Sequence, residues 1–257
     1  MSDVAKPRRR GRGFIELLVV LVVLVVVAVL AVVAELVARQ VVPATVRSTV
    51  VEQLQLPAEH PVDVQVDGIL LPQLIAGTLA DVRIASDDVT VGEFSGDVTA
   101  QLQGVPIRAD RAGAGGTAEV RMSPEQLRSL LSTIDGFPAE TIELAAPNVT
   151  ASTEIELLGA TIPLGLALAP SAADGDLVLS PVEGTVAEAT VTADQLRGQF
   201  GGLLEPLLQD RSVCIASSLP AALTLQSIEV LDDALVTGFD IDGGIIHDPA
   251  LQANGTC

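Results

Sequence analysis

The stretch LLVVLVVLVVVAVLAVVA, Leu17 to Ala34, holds no charge, glycine or proline over 18 residues. A helix of that length rises about 27 Å, close to the ~30 Å hydrocarbon core of a bilayer. Lys6, Arg8, Arg9, Arg10 and Arg12 precede it, and Glu16 and Glu35 bracket it. Basic residues on the near side predict a cytoplasmic N-terminus (1–16), a span (17–34) and an exported domain (35–257). Two readings share this pattern: a signal anchor that stays in the plasma membrane as a single pass, or a signal peptide cut near Ala34 to release a secreted domain. A signal-peptide apolar core runs about 7–15 residues, so the length favours the anchor. A buried core helix would not carry so basic a flank, and no cysteine stands near the segment to serve a lipoprotein signal.

Charge and composition remove several functions. The chain carries a net charge of −19, and past the apolar run it has no lysine, whereas phosphate-backbone binding needs a dense basic surface. With five Phe, no Trp and no Tyr, stacking on bases or sugars has almost no tools. Nucleic acid is therefore not an expected partner. His60 and His247, the two histidines, belong to no zinc-type spacing, and no G-x-S-x-G elbow occurs. His247 beside Asp248 reads as a turn. DIDGG, Asp240 to Gly244, lacks the ligand count and the closing Glu of a calcium loop and reads as a hairpin turn. No catalytic residue, metal site or cofactor is expected.

The two cysteines, Cys214 and the terminal Cys257, both fall in the exported part, where thiols oxidise. The simplest expectation is that they pair. Such a bridge is worth about 3–4 kcal/mol in the loop-closure model and ties down a terminus that otherwise frays.

The pattern beyond the span is α+β. ELVARQVVPATVRSTVVEQLQL, Glu35 to Leu56, has helical spacing with Pro43 as an interruption, and PAEHPVD is a linker. VDVQVDGILL alternates with period two, LPQLIAGT is a short helix or turn, and residues 79–108 read as strands joined by Asp- and Gly-rich turns. GTAEVRMSPEQLRSLL and GTVAEATVTADQLRGQF then share a design: Gly-Thr, a short strand, and a capping box S/T-x-x-Q followed by Leu-Arg. Ser123 with Gln126, and Thr192 with Gln195, are the cap pairs. This suggests an internal duplication over 116–183 and 184–257, with Arg128 and Arg197 at equivalent places. The alternative is chance similarity.

Apolar surface is the remaining resource. In IELLGATIPLGLALAP, residues Ile162, Leu164, Leu166 and Leu168 point to one side if extended, while the other side is small and hardly charged. Half-buried antiparallel strands show a polar face, so this stretch has two readings of equal weight: a strand covered on both faces, by helices and by a partner, membrane or acyl chains, or an ordinary central strand. Leu127, Leu130, Leu131 and Ile134 share one face of the first helix. Leu196, Phe200, Leu203, Leu204 and Leu207 do so on the second. With Leu74 and Ile75 these are the candidate lining residues of an acyl-chain groove. At about 0.8 kcal/mol per methylene, one sixteen-carbon chain supplies on the order of 10 kcal/mol before entropy costs. Arg128 and Arg197 are candidate head-group contacts, or members of a solvated helix face.

The order of segments resembles a family. After the basic start and apolar run come VDVQVDGILLPQLIAGTLADVRIASDDVTVGEFSGDVTAQLQGV, DGDLVLSP, TADQLRGQF, SVCIASSLPAALTLQSIEVLDDALVTGFDIDGGII and DPALQANGTC. The chain is similar to the LmeA-like phospholipid-binding proteins of the actinobacterial cell envelope over about Glu35 to Cys257. The resemblance implies a non-enzymatic protein outside the plasma membrane that binds phospholipid in the periplasm or envelope. It also implies an elongated curved antiparallel sheet packed around helices, as in tubular lipid-binding proteins. It brings no catalytic set and no mapped lipid contacts. The reading from residues and resemblance together is an envelope protein that buries acyl chains, for lipid transfer or envelope maintenance. The alternatives are a closed-core scaffold that contacts envelope proteins, and a hydrolase of unseen active site.

Overall fold

The computed structural model describes residues 12–53, 56–91, 94–108, 110–132, 139–157, 160–186, 189–195, 197–198 and 208–256. Helix α1 (Arg12–Gln53) runs from the apolar stretch into the following domain without a break. Every large apolar side chain from Leu17 to Val33 faces outward. Among the described residues α1 is the one helix long and apolar enough to cross a bilayer. Past Glu35 the pattern changes. Ala38, Val42, Val46 and Val50 recur every fourth residue, which lines them up on one helical face, and they pack against Val62, Val64, Leu70 and Val82. Pro43 does not interrupt the helix. It removes one backbone donor, but Val42 and Val46 on either side are held against the domain.

The strands follow in chain order: β1 (Asp63–Val66), β2 (Thr78–Val91), β3 (Phe94–Pro106), β4 (Gly115–Met122), β5 (Glu143–Ala145), β6 (Asn148–Leu157), β7 (Ala160–Ala173) and β8 (Asp176–Val186). They continue with β9 (Ala189–Thr192), β10 (Arg211–Val213), β11 (Leu223–Val230) and β12 (Leu235–Ile241). Helix α2 (Leu70–Ala76) lies between β1 and β2, and α3 (Pro124–Leu131) follows β4. Two antiparallel sheets result, one ordered β1-β2-β3-β4-β12-β11 and the other β10-β8-β7-β6-β5 with β9 beside β8. Neither closes into a barrel. The architecture is α+β, preceded by the long apolar helix. Register shifts at Ser86/Val89, Ala167/Leu168 and Leu225/Ser227 are bulges, which bend and twist a strand locally.

Helix α3 seats where the sheets meet. Its Leu127 is buried with Ile142 and Val149 from the β5–β6 side and Val230 from the end of β11, and Leu131 packs against that cluster. Ser123 and Gln126 form the full capping box, and Pro124 opens the helix. The second box is also present: Thr192 N–H donates to Gln195 Oε1 at 3.0 Å, and Gln195 N–H to Thr192 Oγ1 at 3.3 Å.

Strand β7 is the ordinary central strand of its two sequence readings, paired with β6 and β8. Leu164, Leu166 and Leu168 do share a face, flanked in register by Thr153, Ala151 and Val149 on β6 and by Val186, Gly184 and Pro181 on β8. Gly165 and Ala167 on the other face are flanked by Ser152, Thr150, Thr185 and Glu183. That face is the ordinary polar one. Its polarity sits on the neighbouring strands, where β7 alone could not reveal it.

Candidate functional site

Register turns the alternating strands of the first sheet into two contrasting surfaces. In an antiparallel ladder directly paired residues project to the same face. One rung runs across all six strands: Val64, Ile84, Ala100, Ala118, Phe239 and Leu225. The rung two residues along is Val66, Val82, Leu102, Gly116, Ile241 and Leu223. Neither contains a polar side chain. Between them, on the opposite face, lies Gln65, Arg83, Gln101, Thr117, Asp240 and Thr224, polar throughout.

The apolar face is unevenly covered. Near β1 and β2 the helix α1 closes it, and Val64, Val82 and Leu70 are buried there. Towards the middle, Leu102, Ala118, Phe239 and Ile241 are only half-buried. Ala100 and Ala118 are small, while at Gly116 a side chain would meet the Gln101 carbonyl of the neighbouring strand. The apolar face is thus half-covered over β3, β4 and β12, beyond the part that α1 closes. A separate open hollow of about 460 Å³, where the end of α1 meets residues 56–58, is rimmed by Arg47 and Glu52.

The sequence-selected residues distribute over several places. Leu74 packs partly against the α1 cluster, whereas Ile75 on the same short helix is 86% exposed. Leu127 and Leu131 fill the junction between sheets; Leu130 is half-buried. Leu164 is 1% exposed, and Leu166 and Leu168 are half-buried on the apolar side of β7. Ile162 lies in β7, paired with Ile155, and its side chain falls outside those described. Ile134, Leu196, Phe200, Leu203, Leu204, Leu207 and Cys257 also lie outside the described residues. The six-strand rungs were missed in sequence. Their strands alternate visibly, but only register shows that the apolar positions line up.

Arg128 and Arg197 hold their own loops. Arg128 Nε donates to the Ile142 carbonyl at 2.9 Å, and Arg197 Nη2 to the Leu208 carbonyl at 2.7 Å. Each also pairs with a carboxylate three residues earlier, Glu125 and Asp194. The histidines are structural or exposed. His60 Nε2 meets Ser86 Oγ at 3.0 Å, and the Ser86 hydroxyl donates to the Pro61 carbonyl. His247 caps the 3-10 turn Gly243–Ile246 and is exposed. In DIDGG, Asp242 Oδ1 accepts from the Gly244 amide, the turn role.

Glu35, one residue past the apolar run, was not singled out by sequence. Its Oε1 accepts from Leu70 N–H at 3.0 Å and its Oε2 from Leu71 N–H at 2.9 Å. It thereby satisfies two orphan amides at the start of α2, whose own cap position, Ile69, has no side-chain bond to offer. These two bonds hold its pKa below the ordinary glutamate value, opposed by desolvation and assisted by Arg39.

Two adjacent rungs without a polar side chain, half-covered beside a helix, suit an acyl chain better than a reacting polar group; the next rung on that face already carries Ser86 and Thr237. Residues 33–239 match the LmeA-like phospholipid-binding family. The chain belongs to that family. No curated protein and no solved structure matches it. The LmeA-like match includes both six-strand rungs up to Phe239, and it begins just before Glu35. Lipid binding is the property that the family match supports.

Proposed function

We propose that this protein holds the acyl chains of a phospholipid against the apolar face of its six-stranded sheet, outside the plasma membrane to which α1 anchors it. Binding acts by burial and needs no bond-making chemistry. One observation carries this reading: two rungs without a polar side chain cross all six strands, yet their middle is only half covered. In the same reading the protein serves the cell envelope by carrying or storing lipid, and residues 116–183 and 184–257 descend from one strand–helix unit. The matching arginine bonds of the two capped helices support that duplication.

We also propose that Cys214 pairs with Cys257. No free cysteine occurs among the described residues. The chain end lies antiparallel to residues 217–222: Ala221 N–H donates to the Ala253 carbonyl at 2.8 Å, and Gly255 N–H to the Leu219 carbonyl at 3.0 Å. That pairing sets Gly255 against Ala216, two residues along the chain from Cys214, which supports the bridge.

The test uses the full chain in vesicles containing a phospholipid with a photoactivatable acyl chain. Crosslinks on peptides of β3, β4 and β12 are the expected result. Crosslinks confined to 17–34 would remove the groove reading and favour a closed-core scaffold.

A further inference from the structure

The end of the first sheet nearest the apolar run carries exposed isoleucines that the groove does not use. Ile69 is 63% exposed, Ile75 is 86% and Ile107 is 45%. They come from two segments that meet: Ile107 N–H donates to the Gly77 carbonyl at 3.0 Å, just past α2. This end is tied to the last turn of the span. Glu35 bonds the Leu70 and Leu71 amides, and Arg39 Nη2 donates to the Gly68 carbonyl at 2.9 Å. Ile69 therefore adjoins the residue that Glu35 clamps, and Ile75 stands about 7–8 Å further along α2 at 1.5 Å per residue. The polar layer of a bilayer is about 5–8 Å deep on each side. Arg108 and Arg111 follow Ile107 and are exposed. Arg108 makes no ion pair among the described residues, and Arg111 has only a 3.9 Å approach to Asp110.

We infer that α2 and the segment joining β3 to β4 form a membrane-docking surface, with Ile69, Ile75 and Ile107 entering the interfacial layer and Arg108 and Arg111 meeting lipid phosphates. The occupant is the bilayer that the same chain enters, because the surface is continuous with the end of the apolar run. Long basic side chains at this depth keep their charge at the head groups while their stems lie on apolar surface. Docking would place that end of the strands, and so the nearer apolar rung from Val66 to Leu223, towards the lipid source. This inference rests on the anchor reading of α1 given above.

The chain has no Trp and no Tyr, so one introduced Trp reports alone. Three full-length variants are reconstituted in vesicles: Ile75→Trp, Leu24→Trp in the span, and Asp232→Trp in the β11–β12 turn at the opposite end of the sheet. The expected result is that Ile75→Trp emits at shorter wavelength than Asp232→Trp, is shielded from iodide, and is quenched by acyl-brominated phospholipid at a depth of about 5–10 Å below the head groups. Charge reversal of Arg108 and Arg111 to Glu in that background restores iodide access. If Ile75→Trp behaves like Asp232→Trp while Leu24→Trp is quenched, docking is overturned and the anchor stands. If Leu24→Trp also escapes quenching, the anchor reading fails and docking fails with it.

Discussion

Glu35 and Leu70 are 35 positions apart in sequence and joined by a 3.0 Å hydrogen bond that fixes the domain to the helix entering it. The Glu35 pKa lies below its ordinary value, first because of the Leu70 amide and next because of the Leu71 amide. A carboxylate with a depressed native pKa adds stability above its unfolded-state pKa and loses it as pH falls through the native one. The joint between α1 and α2 should therefore weaken only in acid, below the ordinary glutamate range. Glu35→Gln should remove that pH dependence and speed hydrogen exchange at the Leu70 and Leu71 amides at neutral pH. Exchange unchanged at those two amides would show that packing alone holds α2.

The paired arginines make a second prediction. Arg128 and Arg197 each serve the carbonyl of a nearly fully buried residue, Ile142 at 1% and Leu208 at 2% exposure. Hydrogen bonds to charged groups contribute about 1.5–3 kcal/mol. Arg128→Ala and Arg197→Ala should each lower unfolding stability by roughly that amount in urea titration, without loss of bound lipid. Lysine should rescue neither fully, because it lacks the planar fork that serves carbonyl and carboxylate together.

Local features were legible in the sequence because their causes are local. The apolar helix, both capping boxes and the alternating strands each follow from a few neighbouring residues, and the structure shows all of them. The continuous helix through Pro43 was not legible, since packing of Val42 and Val46 on residues far along the chain decides it. The apolar rungs depended on register across strands as distant as β2 and β12. Strand β7 left two readings open for the same reason: the polar half of its outer face is Ser152, Thr185 and Glu183 on β6 and β8.

The chain end offers a third prediction. Asn254 Nδ2 donates to the Ser217 carbonyl at 2.9 Å, and Pro220 bridges to Asn254. If Cys214 and Cys257 are linked, reduction should cost about 3–4 kcal/mol of unfolding stability in the loop-closure model. Intact-mass measurement before and after reduction should show a gain of two hydrogens. An unchanged mass would leave the terminus held by the backbone zipper and the Asn254–Ser217 bond, with no covalent tie.

The half-covered apolar face predicts its own blockage. Ala118 sits mid-rung between Ala100 and Phe239, half-buried on the apolar face. Ala118→Phe adds apolar volume where an acyl chain would lie and introduces no charge, so the sheet keeps its pattern. Displacing two or three methylenes from contact forfeits about 2 kcal/mol at ~0.8 kcal/mol each, roughly a thirtyfold loss of affinity. Thr117→Val, one residue away on the polar face, should leave lipid uptake unchanged, because its side chain points to the other side of the sheet. The measurement is the phospholipid crosslinked to β3 and β12 peptides in each full-length variant. Equal labelling of Ala118→Phe and the parent would mean that the lipid lies elsewhere, with the surface of β7 around Leu166 and Leu168 as the next place to look.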